Sequence, residues 1–201
     1  MMLPTHALAG MALGLPLVVL APELAPVALV GGFIGGIVPD LDLYAGHRRT
    51  LHYPTLYPIA ALPLALLALA VTTPVAVAVA FVLLGAALHC RMDLYGGGLE
   101  LRPWEGTSER AVYDHVDGEW LPPRRLVAYD GSKGDLAITA AIGVPLLLFA
   151  EPPLTILVAV TIVVAVLYVI LRRRLAALAP TVFGLLPEPI ESHVPDRYRE
   201  S

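Results

Sequence analysis

The chain has 201 residues, of which 57% are hydrophobic and only 15% charged, with mean hydropathy +0.74 and net charge −4. An ordinary soluble domain carries about 25% charged residues. So few charges cannot cover this much apolar surface, which excludes a soluble globular enzyme, a disordered chain and a collagen-like one. A lone cysteine, Cys90, excludes an internal disulfide framework and a cysteine-based zinc ribbon, and the small net charge gives no sign of a nucleic-acid binder.

Apolar stretches run in pairs, at 6–21 and 26–39, at 55–72 and 74–90, and at 136–150 and 153–171. The last reaches the ~20 residues that span a hydrocarbon core, and the others are shorter. They predict an all-α integral membrane protein of one domain, with about six membrane-embedded helices in three hairpins. Within each pair the link is short and holds proline: residues 21–26, 72–74 and 151–153. Proline stops one helix and suits the first turn of the next. No basic residue precedes the first apolar run, so the N-terminus reads as a helix rather than a cleaved leader.

All thirteen Lys and Arg residues lie between hairpins or after the last one, and none falls in the three short links. The positive-inside rule then predicts a multi-pass cell-membrane protein with both termini and both long connections in the cytoplasm. The expected segments are a helical membrane region over 1–93, a polar stretch over 94–135, a C-terminal hairpin over 136–173 and a tail over 174–201. The polar stretch holds Tyr95, Trp104, Tyr113, Trp120 and Tyr129, which argue for an ordered interfacial cap. Pro180, Pro187, Pro189 and Pro195 prevent the tail from being one helix.

Ionisable residues gather at the predicted cytoplasmic helix ends. His6 opens the first helix, Asp40 and Asp42 close the second, His47 and His52 flank the start of the third, and His89 and Asp93 end the fourth. Such groups are costly in a bilayer and persist where something pairs with them. His89 and Asp93, four apart, share a helix face and can approach one metal ion. His6, Asp40 and His52 would complete one site, or two sites sharing Asp93. Mixed His/Asp ligands suit zinc, with manganese and iron as alternatives, and one or two ions are expected. Asp42 or His47 would serve as general base or as an orienting partner, and Arg48 as a clamp on a phosphate. Gly31, Gly32, Gly35 and Gly36 predict close helix packing, bringing Asp40 toward His6. His115 reads as part of a solvated loop.

Pro4-Thr5-His6-Ala7-Leu8-Ala9-Gly10, then Pro39-Asp40-Leu41-Asp42, the HRRTLH run at 47–52 and His89-x-x-x-Asp93 together resemble the YdjM-like family of inner-membrane metal-dependent hydrolases, also described as LexA-binding. The resemblance covers roughly residues 1–95. That family is distantly similar to zinc-dependent phospholipase C and P1-type nucleases. The resemblance implies that His6, Asp40, His52, His89 and Asp93 are metal ligands of a hydrolase. Two departures stand out. No second His-x-x-x-Glu or His-x-x-x-Asp follows, which favours one or two metals over three. Leu51-His52-Tyr53 replaces the family's usual Thr-His-Ser. The expected activity is metal-assisted hydrolysis of a phosphoester or similar ester at the membrane interface, with lipid as surroundings or substrate, no nucleic-acid partner, and room for a protein partner. The alternatives are a metal sensor or transporter and a protein-recruiting scaffold.

Overall fold

The computed structural model describes residues 1–43, 45–191 and 193–199, so Ser192, Glu200 and Ser201 of the tail lie outside the described residues. The chain is mostly helical: α1 (Leu3–Ala12), α2 (Leu15–Leu20), α3 (Ala25–Ile37), α4 (Leu56–Val71), α5 (Pro74–Leu94), α6 (Lys133–Phe149), α7 (Leu154–Phe183) and the short α8 (Glu188–Glu191). A 3₁₀ turn over Val38–Asp42 extends α3, and another covers Asp196–Tyr198.

Four segments are long and apolar enough to cross a membrane: Leu3–Leu20, Ala25–Asp42, Pro74–Leu94 and Leu154–Phe183. The 21 residues of α5 rise about 31 Å, the thickness of a hydrocarbon core. With 16 and 17 residues, α4 and α6 rise only about 24–26 Å. The first span is broken because Pro16 cannot donate to the Ala12 carbonyl, so α1 ends there and α2 restarts beside it. The last helix continues past Arg174 and through Pro180 to Phe183.

Helices α1, α3 and α5 cross at the centre in backbone contact. A Cβ added at Gly32 would collide with the Gly10 carbonyl, and one at Gly36 would collide with the His6 carbonyl and lie 2.8 Å from Ala7 Cα. The glycine pairs predicted for close packing therefore set the spacing of all three helices. Two apolar clusters flank this centre. Leu8, Met11, Leu29, Leu146 and Val158 tie α1 and α3 to α6 and α7, and Ala28, Ala68, Val77 and Ala80 tie α3 to α4 and α5.

One buried carboxylate fastens α6 to the start of α1. Asp135 accepts from the Met2 amide at 2.8 Å, the Thr5 hydroxyl at 2.6 Å and the Gly131 amide at 3.0 Å. Asp135→Ala leaves these donors buried without an acceptor and is expected to cost about 3–5 kcal/mol. The measurement is the thermal unfolding midpoint in detergent; Asp135→Asn, which keeps one acceptor oxygen, should fall less.

The polar stretch departs from the all-helical expectation by one small hairpin, β1 (Val112–Asp114) antiparallel to β2 (Glu119–Leu121), with Tyr113 opposite Trp120. Asp117-Gly118 makes its turn, Gly118 taking φ +73 that side chains disfavour. The stretch is stitched to the 45–55 loop: the Tyr113 amide donates to the Arg48 carbonyl at 2.9 Å, and Thr55 donates to Asp114 at 2.5 Å.

Candidate metal centre

The segment from Val38 to His52 builds most of the site. The 3₁₀ turn points Asp40 and Asp42 to different surroundings. The chain then folds back around Asp42 through Gly46 at φ +88 and Arg48 at φ +60. Arg48 pays a strain of about 1–2 kcal/mol for a left-handed conformation, and the loop's bonds to Asp42 hold it there. Asp42, 1% exposed, receives four donors. Its Oδ1 accepts from His47 Nδ1 at 3.1 Å and the Arg48 amide at 3.3 Å, and its Oδ2 from His52 Nδ1 at 3.0 Å and the Leu51 amide at 3.0 Å.

Those bonds decide the tautomers. His52 must carry its proton on Nδ1 to donate to Asp42. His89 must do the same, because its Nδ1 lies 2.7 Å from the Gly36 carbonyl oxygen, which can only accept. In the neutral rings both Nε2 atoms then bear lone pairs, and they face each other 3.2 Å apart. Asp93 Oδ2 is 3.4 Å from each of them and has no hydrogen-bond partner among the described residues, although it is buried. Asp40 Oδ1 is 3.5 Å from His89 Nε2 and 3.7 Å from His52 Nε2.

Converging acceptors of this kind suit a cation. Asp40, His52, His89 and Asp93 each offer one ligand atom, all within 4.8 Å of one another, so this set could hold a metal ion. Donors about 2.0–2.1 Å from a tetrahedral ion lie about 3.3 Å from each other, close to the 3.2–3.7 Å separations among the two imidazoles and their carboxylate neighbours. Imidazoles whose far nitrogens are held by a carboxylate and a carbonyl are the usual arrangement behind metal-bound histidine.

The other expected site residues stand around this set. His6 falls outside it. Its ring stacks on His89 with centroids 3.8 Å apart, and its Nε2 contacts Asp93 Oδ1 at 3.0 Å, the oxygen turned away from the cluster. The same oxygen takes Arg48 Nη2 at 3.3 Å, while Arg48 Nη1 donates to the Gly97 carbonyl at 2.8 Å. Arg48 is thus largely committed to the protein and braces Asp93; its buried Nε has no partner among the described residues. His47 donates through Nδ1 to Asp42, and its Nε2 makes no hydrogen bond among the described residues. Burial pushes His47 below the ordinary histidine range, outweighing the upward effect of the Asp42 bond. His115, exposed, bonds the Arg49 carbonyl at 2.6 Å and packs on Tyr53 and Tyr113, away from the cluster.

Sequence reasoning missed the Gly36 carbonyl as the partner that orients His89, since a backbone atom leaves no signal in residue type. It also missed the hairpin that covers the loop, which Asp117-Gly118 between two β-rich triplets could have revealed.

Compared with family models, curated proteins and solved structures, the chain finds no match.

Proposed function

We propose that the chain is a multi-pass membrane hydrolase that uses one divalent ion, zinc by its donor set, held by Asp40, His52, His89 and Asp93. The observation that carries this reading is the pair of facing Nε2 lone pairs at 3.2 Å, with both Nδ1 atoms already bound. In this reading α4 and α6 join the four longer spans as embedded helices, giving six in three hairpins. The end bearing the cluster and all the basic residues faces the cytoplasm. The resemblance of residues 1–95 to YdjM-like metal-dependent hydrolases points the same way.

A bound ion of this kind supplies a water acidic enough to ionise near neutral pH. The protein's own groups do the rest. Asp42 fixes the His47 ring so that Nε2 can accept a proton, and Arg48 holds Asp93 in place. His52, His89 and Asp93 are sealed, each 1% exposed or less, whereas the Asp40 side chain is 19% exposed. Asp40 is also the most distant of the four from the two imidazoles. It is therefore the side from which a reacting group arrives. The substrate class is a phosphoester, matched to the interfacial depth of the site and to nearby arginines.

Four protein donors also favour a second reading, since closed four-ligand sites are usually structural; a membrane metal sensor would need no more. Turnover separates the two. Zinc-loaded protein is assayed against soluble phosphodiesters and phospholipids. Wild type should turn over one of them, and His47→Gln should retain its zinc while kcat falls about 10²-fold or more. Stoichiometric zinc with no hydrolysis across the panel would establish the sensor and remove the hydrolase.

A further inference from the structure

The route to the cluster identifies what reaches it. A cavity of about 810 Å³ runs along α7, against α1 and α3, and Asp40 is the one member of the four-residue set on its wall. Its body is hydrocarbon: Ala7 of α1, Phe33 and Ile37 of α3, and Val160 and Val164 of α7. These residues belong to the apolar spans, and on the α7 side the wall is open, Val160 and Val164 being 54% and 50% exposed. Toward Asp40 the lining turns polar, with His47, Arg48, Arg197, Glu100 and the paired Asp130 and Arg172.

A second cavity, of about 640 Å³, continues from there. It shares His47, Glu100 and Arg197 with the first and adds Arg49, Arg110 and Trp120. At the junction Arg197 donates through Nη1 to the Leu99 carbonyl at 3.2 Å and through Nη2 to the Tyr198 hydroxyl at 2.9 Å, while its buried Nε and both carboxylate oxygens of Glu100 have no hydrogen-bond partner among the described residues. A cation fits an anionic group, and the Glu100 oxygens need an O–H or N–H donor. The path is therefore apolar along the spans and polar beside the metal cluster, where arginines and carboxylates both line it.

We infer that the occupant is a glycerophospholipid, its acyl chain lying between α1, α3 and α7, its phosphoester at His47 and Arg197, and its donor-bearing head group beside Glu100. This rests on the hydrolase reading for what happens to the phosphoester, but not for the binding itself. A soluble phosphoester would leave the hydrocarbon portion of the path unfilled. A free fatty chain would leave the cationic and carboxylate groups unmatched.

Photolabelling in vesicles tests it without turnover. The full chain is reconstituted with phosphatidylethanolamine, phosphatidylcholine or diacylglycerol carrying the same diazirine on the acyl chain, and labelled peptides are mapped. Phosphatidylethanolamine should label Ile37, Val160 and Val164 above the outward-facing Ile59, Leu62 and Leu66 of α4. Phosphatidylcholine, which lacks a head-group donor, should label the groove less, and diacylglycerol, which lacks phosphate, least. Val164→Trp should lower groove labelling about tenfold, whereas Val163→Trp, which is exposed and does not line the cavity, should leave it. Even labelling around the protein, equal groove labelling by the three lipids, or full labelling in Val164→Trp would overturn the inference. Groove labelling as expected, with no hydrolysis of any phosphoester, would uphold it while removing the hydrolase.

Discussion

His89→Ala and Asp93→Ala are each expected to bring the metal content of the purified protein from about one equivalent to near background, read by inductively coupled plasma mass spectrometry. Each removes one of the four donors that converge on the ion, and with it the affinity that a complete set supplies. Asp93 has the larger expected effect. Its Oδ2 faces both imidazoles while its Oδ1 takes His6 and Arg48, so its loss also leaves a buried guanidinium without its carboxylate. Asp42→Asn should be graded rather than absolute. The amide can still meet one imidazole, and the affinity should fall about 10–100-fold, the usual result of losing an orienting partner. His115→Ala should leave the metal in place, because that imidazole bonds the Arg49 carbonyl outside the set. Equal metal in wild type, His89→Ala and Asp93→Ala would remove the proposed ligands.

The second large effect is expected at a residue with no side chain. Gly36→Leu should abolish folded protein, judged by a monodisperse size-exclusion peak in detergent. Gly36→Ala should lose about 3 kcal/mol or more of stability. The added carbon would strike the His6 carbonyl and lie 2.8 Å from Ala7 Cα, both rigid backbone. Moving α3 away would also withdraw the Gly36 carbonyl from His89, so the alanine variant should bind metal more weakly as well as unfold earlier. Gly134→Ala is the contrast. Its Cβ would meet only the Ser132 hydroxyl at 3.7 Å, so the change should be neutral or slightly stabilising. Similar losses from the two substitutions would show that helix approach at Gly36 is not what limits the fold.

Much of the architecture was legible in the residue order. The helices lie close to the apolar stretches, and the breaks between stretches fall at the proline-bearing links, because hydrophobic run length and a missing amide act locally; the break between α1 and α2, inside the first stretch, was not foreseen. The glycine pattern correctly marked α3 as the helix that others approach closely. The site was legible in part. His89 and Asp93 could be paired because a helical turn brings i and i+4 together. Asp40 and His52 could be placed at the same end of the helices by the hairpin order. His6 met the same criteria of level and chemistry, yet its imidazole stacks on His89 and turns its Nε2 to the outer oxygen of Asp93. Arg48 read as a free clamp from its charge, and the structure engages it with Asp93 and Gly97.

By itself the sequence determined a helical chain with spans fit for a membrane, the helix ends at which its ionisable groups sit, and the donor types available to an ion. These follow from composition and short-range periodicity, which act along one helix at a time. Which donors could share an ion, which nitrogen of each imidazole is left open, and which cavity Asp40 lines were decided only by the tertiary structure. Those features depend on the rotation of α1, α3 and α5 about their axes and on a loop folded around Asp42, and both are set by contacts between residues distant in the chain.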